Sequence, residues 1–145
     1  MSGVKWLLPQ TPVNESDLYR LNSVFGHNLP DDFKDWVLEH NGACPEPAEI
    51  RVGAGLTISI NSFISFSDKD SPNIFSTLKM LKHRIPDEIL PIADDPGGNY
   101  ISLRYLKNGN APDVVFWDHE ESDMAVAVKP IAKSFSEFIK IIGGG

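Results

Sequence analysis

The chain has 145 residues, 41% of them hydrophobic and 23% charged, which suits one globular domain and is unlike a disordered chain. A formal net charge of −7 repels phosphate backbones and argues against nucleic acid as a ligand. The lone cysteine, Cys44, excludes an intramolecular disulfide and a thiol-built zinc cluster, and a chain of this length buries enough surface to need neither.

The elements follow in chain order. The apolar residues Trp6, Leu7 and Leu8 stop at Pro9, a run far too short for a signal-peptide core. No apolar run is long enough to cross a bilayer. The cytoplasm is therefore the expected compartment, and the single cysteine fits a reducing one. Residues 14–25 predict a first helix, capped by Asn14 or Ser16, with Leu18, Leu21 and Phe25 on one face and Gly26 as its stop. Leu29-Pro30 starts a second, with Asp31 and Asp32 at the positive end of its dipole. Phe33, Trp36, Val37 and His40 share its apolar side, and Asn41-Gly42 ends it.

After the Pro-containing loop 44–48 the period changes from helical to two. Glu49–Val52 and the alternation Leu56, Ile58, Ile60 predict strands, and Phe63, Ile64 and Phe66 continue in strand-like composition. Ser71-Pro72 opens a third helix with the face Ile74, Leu78, Leu81, Ile85, closed by Pro86. Strands are expected over Ile89–Ala93 and Tyr100–Leu106, joined by Asp94-Asp95-Pro96-Gly97-Gly98, with Asn108-Gly109 as the next turn. Val114–Trp117 and Met124–Val128 predict a hairpin around His119-Glu120-Glu121-Ser122. Ser134-Phe135-Ser136-Glu137 is a capping box for a last helix that buries Phe135, Phe138, Ile139 and Ile142. Helices and strands do not alternate one for one. The expectation is an α+β fold, with a largely antiparallel sheet flanked by about four helices. One domain spans residues 1–145, with 1–13 and 143–145 as peripheral ends.

The charge is unevenly spread. Residues 85–128 hold nine acids against two bases, Arg104 and Lys107, while the rest of the chain balances eleven against eleven. Acidity by itself serves solubility, but segregated charge also steers encounter with a basic partner.

No pattern carries catalytic chemistry. Gly53-Ala54-Gly55 lacks the third glycine of a dinucleotide loop and opens no helix. His40 and Cys44 are better read as a core-side histidine and an incidental thiol than as a nucleophile pair. Asp118, His119, Glu120, Glu121 and Asp123 are proper ligand types for a divalent ion, as are Asp94 and Asp95. Neighbours along a strand point apart, however, and Asp and Gly are ordinary turn residues, so no metal and no cofactor is expected. Trp36 is assigned to the core, and Trp6 and Trp117 to partly exposed positions that could anchor a contact.

Four motifs in order bring a known family into view. Phe25-Gly26 followed by Leu29-Pro30-Asp31-Asp32-Phe33, Trp36 and Asn41-Gly42 resembles the N-terminal signature of the SUKH superfamily, the Smi/Knr-type domains. Ile89-Leu90-Pro91-Ile92-Ala93-Asp94-Asp95-Pro96-Gly97-Gly98-Asn99 resembles the central motif of that superfamily. Val115-Phe116-Trp117-Asp118-His119-Glu120 resembles its next strand and turn, and Ser134-Phe135-Ser136-Glu137-Phe138 its closing helix. The likeness covers nearly the whole chain. It implies a sheet flanked by helices and a non-enzymatic role: many bacterial members are immunity proteins that bind toxins, often nucleases, and fungal relatives regulate cell-wall synthesis and signalling. The leading expectation is an immunity protein that occludes the working surface of a basic toxin. Asp94, Asp95, Trp117, Asp118, Glu120, Glu121 and Asp123 are then the partner-binding residues. A regulatory interaction scaffold is the alternative, and a metal-dependent enzyme using Asp94, Asp95, Asp118 and His119 is a third, different class.

Overall fold

Asn14 begins the first helix, α1 (Glu15–Phe25), with a reciprocal cap. Its side chain accepts from the Asp17 N–H at 3.0 Å, and the Asp17 carboxylate accepts from the Asn14 N–H at 2.9 Å. Gly26, at φ 88°, ends the helix in the left-handed region that a Cβ disfavours. The second helix, α2 (Asp31–His40), has no side-chain cap at Pro30, and Asp32 serves another element instead. Asp32 Oδ2 accepts from the Ser136 N–H at 3.0 Å and the Ser136 hydroxyl at 2.9 Å, tying α2 to the last helix, α5 (Phe135–Ile142). Ser134 caps α5 as expected, but the returning Glu137 carboxylate takes the Lys133 N–H at 3.2 Å, one residue before the cap. These coordinates are a computed structural model describing residues 3–52, 55–107, 111–121 and 123–143. The expected turn at Asn108-Gly109, the Gly53-Ala54 pair, Ser122, Met1-Ser2 and Gly144-Gly145 lie outside the described residues.

Two expectations for the middle of the chain change. The third helix, α3 (Ile74–Leu81), starts later than Ser71-Pro72, because Asn73 supplies the cap by accepting from the Ser76 N–H at 2.9 Å. It also ends before Ile85, at Lys82 in extended geometry and His83 at φ 72°. Met124–Val128 is not a strand. Met124–Ala127 forms one helical turn, α4, closed by the Val126 and Ala127 N–H groups on the Asp123 carbonyl. The strand begins only at Val128.

The strands are β1 (Lys5–Leu7), β2 (Cys44–Glu46), β3 (Glu49–Val52), β4 (Leu56–Ser59), β5 (Ser62–Phe63), β6 (Ile89–Asp94), β7 (Tyr100–Arg104), β8 (Asp113–Trp117) and β9 (Val128–Ala132). The main sheet is an antiparallel meander in the order β5-β6-β7-β8-β9. Expected strands 49–66 do not all join it. β3 and β4 form a hairpin of their own, β1 and β2 pair as a separate two-stranded sheet across the two helices between them, and of the Phe63–Phe66 stretch only Phe63 is strand. Pro91 lies beside a register shift in β6 and Pro130 on the edge strand β9, places where a missing N–H costs no ladder bond.

Both faces of the sheet are covered. Leu18, Leu21, Phe33, Trp36, Phe63, Ile92, Phe116, Phe135 and Phe138 belong to one core that draws on α1, α2 and α5. Trp117, one residue beyond Phe116 and so on the opposite face, packs with Leu81 of α3 and Ala127 of α4. Several N-terminal residues contact the core. Trp6 meets Trp36 edge-on at 5.0 Å, and Asn41 Nδ2 donates to the Thr11 carbonyl at 2.7 Å and to Ser65 Oγ at 3.0 Å.

Candidate functional site

The two acidic turns, far apart in sequence, meet at one end of the meander. Asp94 ends β6 and Tyr100 starts β7 opposite it, while Tyr100 in turn faces Trp117 at the end of β8. Antiparallel pairing therefore puts the turn after Asp94 and the connection after Trp117 side by side. Hydrogen bonds hold them there. Asn99 Oδ1 accepts from the His119 N–H at 3.1 Å, and His119 Nε2 lies 2.9 Å from the Gly97 carbonyl. Gly98, at φ 87°, lies under the His119 ring, where an added Cβ would come within 3.1 Å of Nε2.

The acids at this end differ in what they are free to do. Asp95 is committed to its own turn, accepting from the Gly97 N–H at 2.9 Å, the Asn99 N–H at 2.8 Å and Asn99 Nδ2 at 3.0 Å. Asp94 Oδ1 accepts from the Ser62 N–H at 3.2 Å and Asn61 Nδ2 at 3.3 Å. Burial pushes the Asp94 carboxyl above the ordinary aspartate range, the Asp95 charge adds to the rise, and the bonds from Asn61 and Ser62 offset it in part. Asp118 Oδ1 accepts from the Glu120 N–H at 3.0 Å, a local turn bond. The Glu120 side chain is 83% exposed, with one carboxylate oxygen 3.9 Å from His119 Nε2. Asp123 is exposed and Glu121 half-exposed.

Trp117 needs correcting as an exposed anchor. It is 2% exposed, stacked on Tyr100 with ring centroids 6.1 Å apart, beneath Leu81. The side chain supports the site from below and presents no surface. Arg104 and Asp113 also leave the balance of free charge, because they pair across β7 and β8 at 2.6 Å. Sequence reasoning named His119 only as a candidate metal ligand and Asn99 only within a motif, and missed that their bonds join the turns. The signal was the Gly97-Gly98 pair, since the second glycine gives the histidine ring room.

The other candidate chemistry does not assemble. Among the described residues, no three of His, Cys, Asp and Glu converge as metal ligands. Burial, and next the Asp94 charge, push the Cys44 thiol up and away from thiolate, while the His40 ring packs against both Trp6 and Trp36.

Comparison with known proteins decides the family. The model of the SMI1 / KNR4 family (SUKH-1) matches residues 12–141. The chain belongs to that family. SUKH domains are in general non-enzymatic immunity or protein-interaction modules. The chain is also 29% identical to the SPbeta prophage-derived uncharacterized protein YokK of Bacillus subtilis (strain 168), over 90% of this chain and 74% of that protein. No helix among the described residues is long and apolar enough to cross a membrane.

Proposed function

We propose that this SUKH domain is an immunity protein that neutralises a basic, nuclease-type toxin in the cytoplasm by covering its working surface with the acidic end of the sheet. The observation that carries this reading is the junction of the two turns. Six carboxylates (Asp94, Asp95, Asp118, Glu120, Glu121 and Asp123) come from segments 94–99 and 118–123, which contain no lysine or arginine. Asn99 and His119 bond the segments together. A nuclease must be basic to hold phosphates, so such a face gains attraction, orientation and fast encounter. The relative described as prophage-derived places a similar protein on a mobile element, a setting that suits a toxin and its antidote.

The test is co-purification with the product of the neighbouring gene, followed by stopped-flow binding at two ionic strengths. Glu120→Gln, Glu121→Gln and Asp123→Asn together should slow association roughly tenfold at low salt and flatten its salt dependence, with stability little changed. An association rate unchanged in this triple variant, and also when Asp94 and Asp95 are neutralised, removes the acidic end as the docking face.

A further inference from the structure

A second surface has the opposite character. Between α1 and α3 lies a groove of about 720 Å³, floored by the half-buried side chains of Phe25, Phe75, Leu78 and Ile85. Val24, 57% exposed, stands on one lip. Lys79, Lys82 and His83 line the groove as well, together with one carboxylate, Asp87. The segment 79–84 carries three bases and a histidine without an acid, in a chain of net charge −7. Lys79 and Lys82 are exposed, and neither has a carboxylate within ion-pair distance among the described residues. An apolar trough of this size, with two unpaired lysines against the one carboxylate of Asp87, is complementary to apolar side chains that alternate with carboxylates.

We propose that this groove docks an acidic amphipathic helix of a partner protein. The apolar face of that helix fills the trough over Phe75 and Leu78, and its carboxylates meet Lys79 and Lys82. Helices supply Val24, Phe25, Phe75, Leu78 and Lys79 to the lining, which is the setting for helix-in-groove recognition. An anionic membrane is the poorer occupant, because the net negative charge of the chain repels it and a concave trough does not match a flat surface. The inference stands apart from the toxin reading, since a basic toxin would be repelled here.

The probe is a peptide of roughly fifteen residues with Leu and Glu at helical spacing, long enough for marginal helicity. It is titrated into the isotope-labelled full chain, and amide shifts are followed by NMR. Two control peptides replace every Glu by Lys or every Leu by Ala. Saturable shifts at Val24, Phe75, Lys79 and Ile85 with the Glu/Leu peptide alone support the proposal. Lys79→Glu with Lys82→Glu should then weaken binding about tenfold, the combined effect of two exposed charge contacts. Both lysines are exposed, so the variant should keep its fold. Shifts confined to other surfaces, equal binding of either control peptide, or indifference to the charge reversal each overturn the proposal. So does concentration-dependent dimerisation abolished by that reversal, which would assign the groove to a second copy. Binding of the chain to phosphatidylserine vesicles without response to the peptide would assign it to a membrane and likewise overturn it.

Discussion

Asn99→Ala tests whether the two acidic turns act as one unit. The substitution removes the acceptor of the His119 N–H at 3.1 Å and the donor to Asp95 Oδ2 at 3.0 Å. The backbone bond from the Asp95 N–H to the Asn99 carbonyl at 3.0 Å remains, so the β6–β7 turn itself should survive. A neutral bond contributes about 1 kcal/mol, and the bond to a carboxylate somewhat more when buried, so for this half-exposed pair the sum is about 2 kcal/mol. At about 2–4 °C per kcal/mol for a chain of this size, thermal unfolding followed by circular dichroism should show a Tm lower by roughly 4–8 °C. The loss should also be visible locally. Hydrogen exchange at the His119 amide should quicken by more than global unfolding allows, because the connection after β8 can then lift away. Asn99→Asp is a sharper control. It keeps an acceptor for His119 but sets a second carboxylate against Asp95, so it should be at least as damaging at neutral pH. A Tm within about 1 °C of the parent for Asn99→Ala, with unchanged His119 exchange, would refute the joining of the turns by this residue.

Other consequences can be checked with the same assays. Trp36 is 9% exposed among Trp6, Phe33, Phe63 and Phe135, so Trp36→Ala should cost about 3–5 kcal/mol in denaturant unfolding, and a loss below about 1 kcal/mol would sink the packing argument. Trp36→Phe should cost far less, under about 1.5 kcal/mol, because it also deletes a buried indole N–H that has no partner among the described residues. The Asp94 carboxyl is held above the ordinary aspartate pKa of 3.8, so the fold binds its proton more tightly than the unfolded chain and loses stability as pH rises through that window. Asp94→Asn keeps an acceptor for Asn61 and Ser62, so it should exceed the parent in stability at pH 7, and the gain should fade as pH falls below 3.8; a gain independent of pH would contradict the burial argument. Gly98→Ala combines a left-handed φ of 87° with a Cβ 3.1 Å from His119 Nε2, and should cost about 1–2 kcal/mol; a neutral result would mean that the histidine ring moves freely.

Local patterns carried a large share of this fold. Asn14, Gly26 and Ser134 state where helices start or stop, because caps and left-handed turns depend on a few adjacent residues. Leu56 and Ile58 in β4, and the runs of β6 to β8, declare strands through composition and period. The ordered motifs carried the family, and the acidic turns could be located by composition alone. What sequence could not settle was everything that depends on a partner distant in the chain. Three-residue strands such as β1 and β2 show no period, and exist because each bonds the other. Val128–Ala132 became a strand where β8 offered it a register, while Met124–Ala127 coiled on the Asp123 carbonyl. Trp117 reads as an exposed aromatic until α3 closes over the second face of the sheet. Segments 94–99 and 118–123 become one site only because antiparallel pairing brings Tyr100 opposite both Asp94 and Trp117, and no short-range pattern in the chain encodes that adjacency.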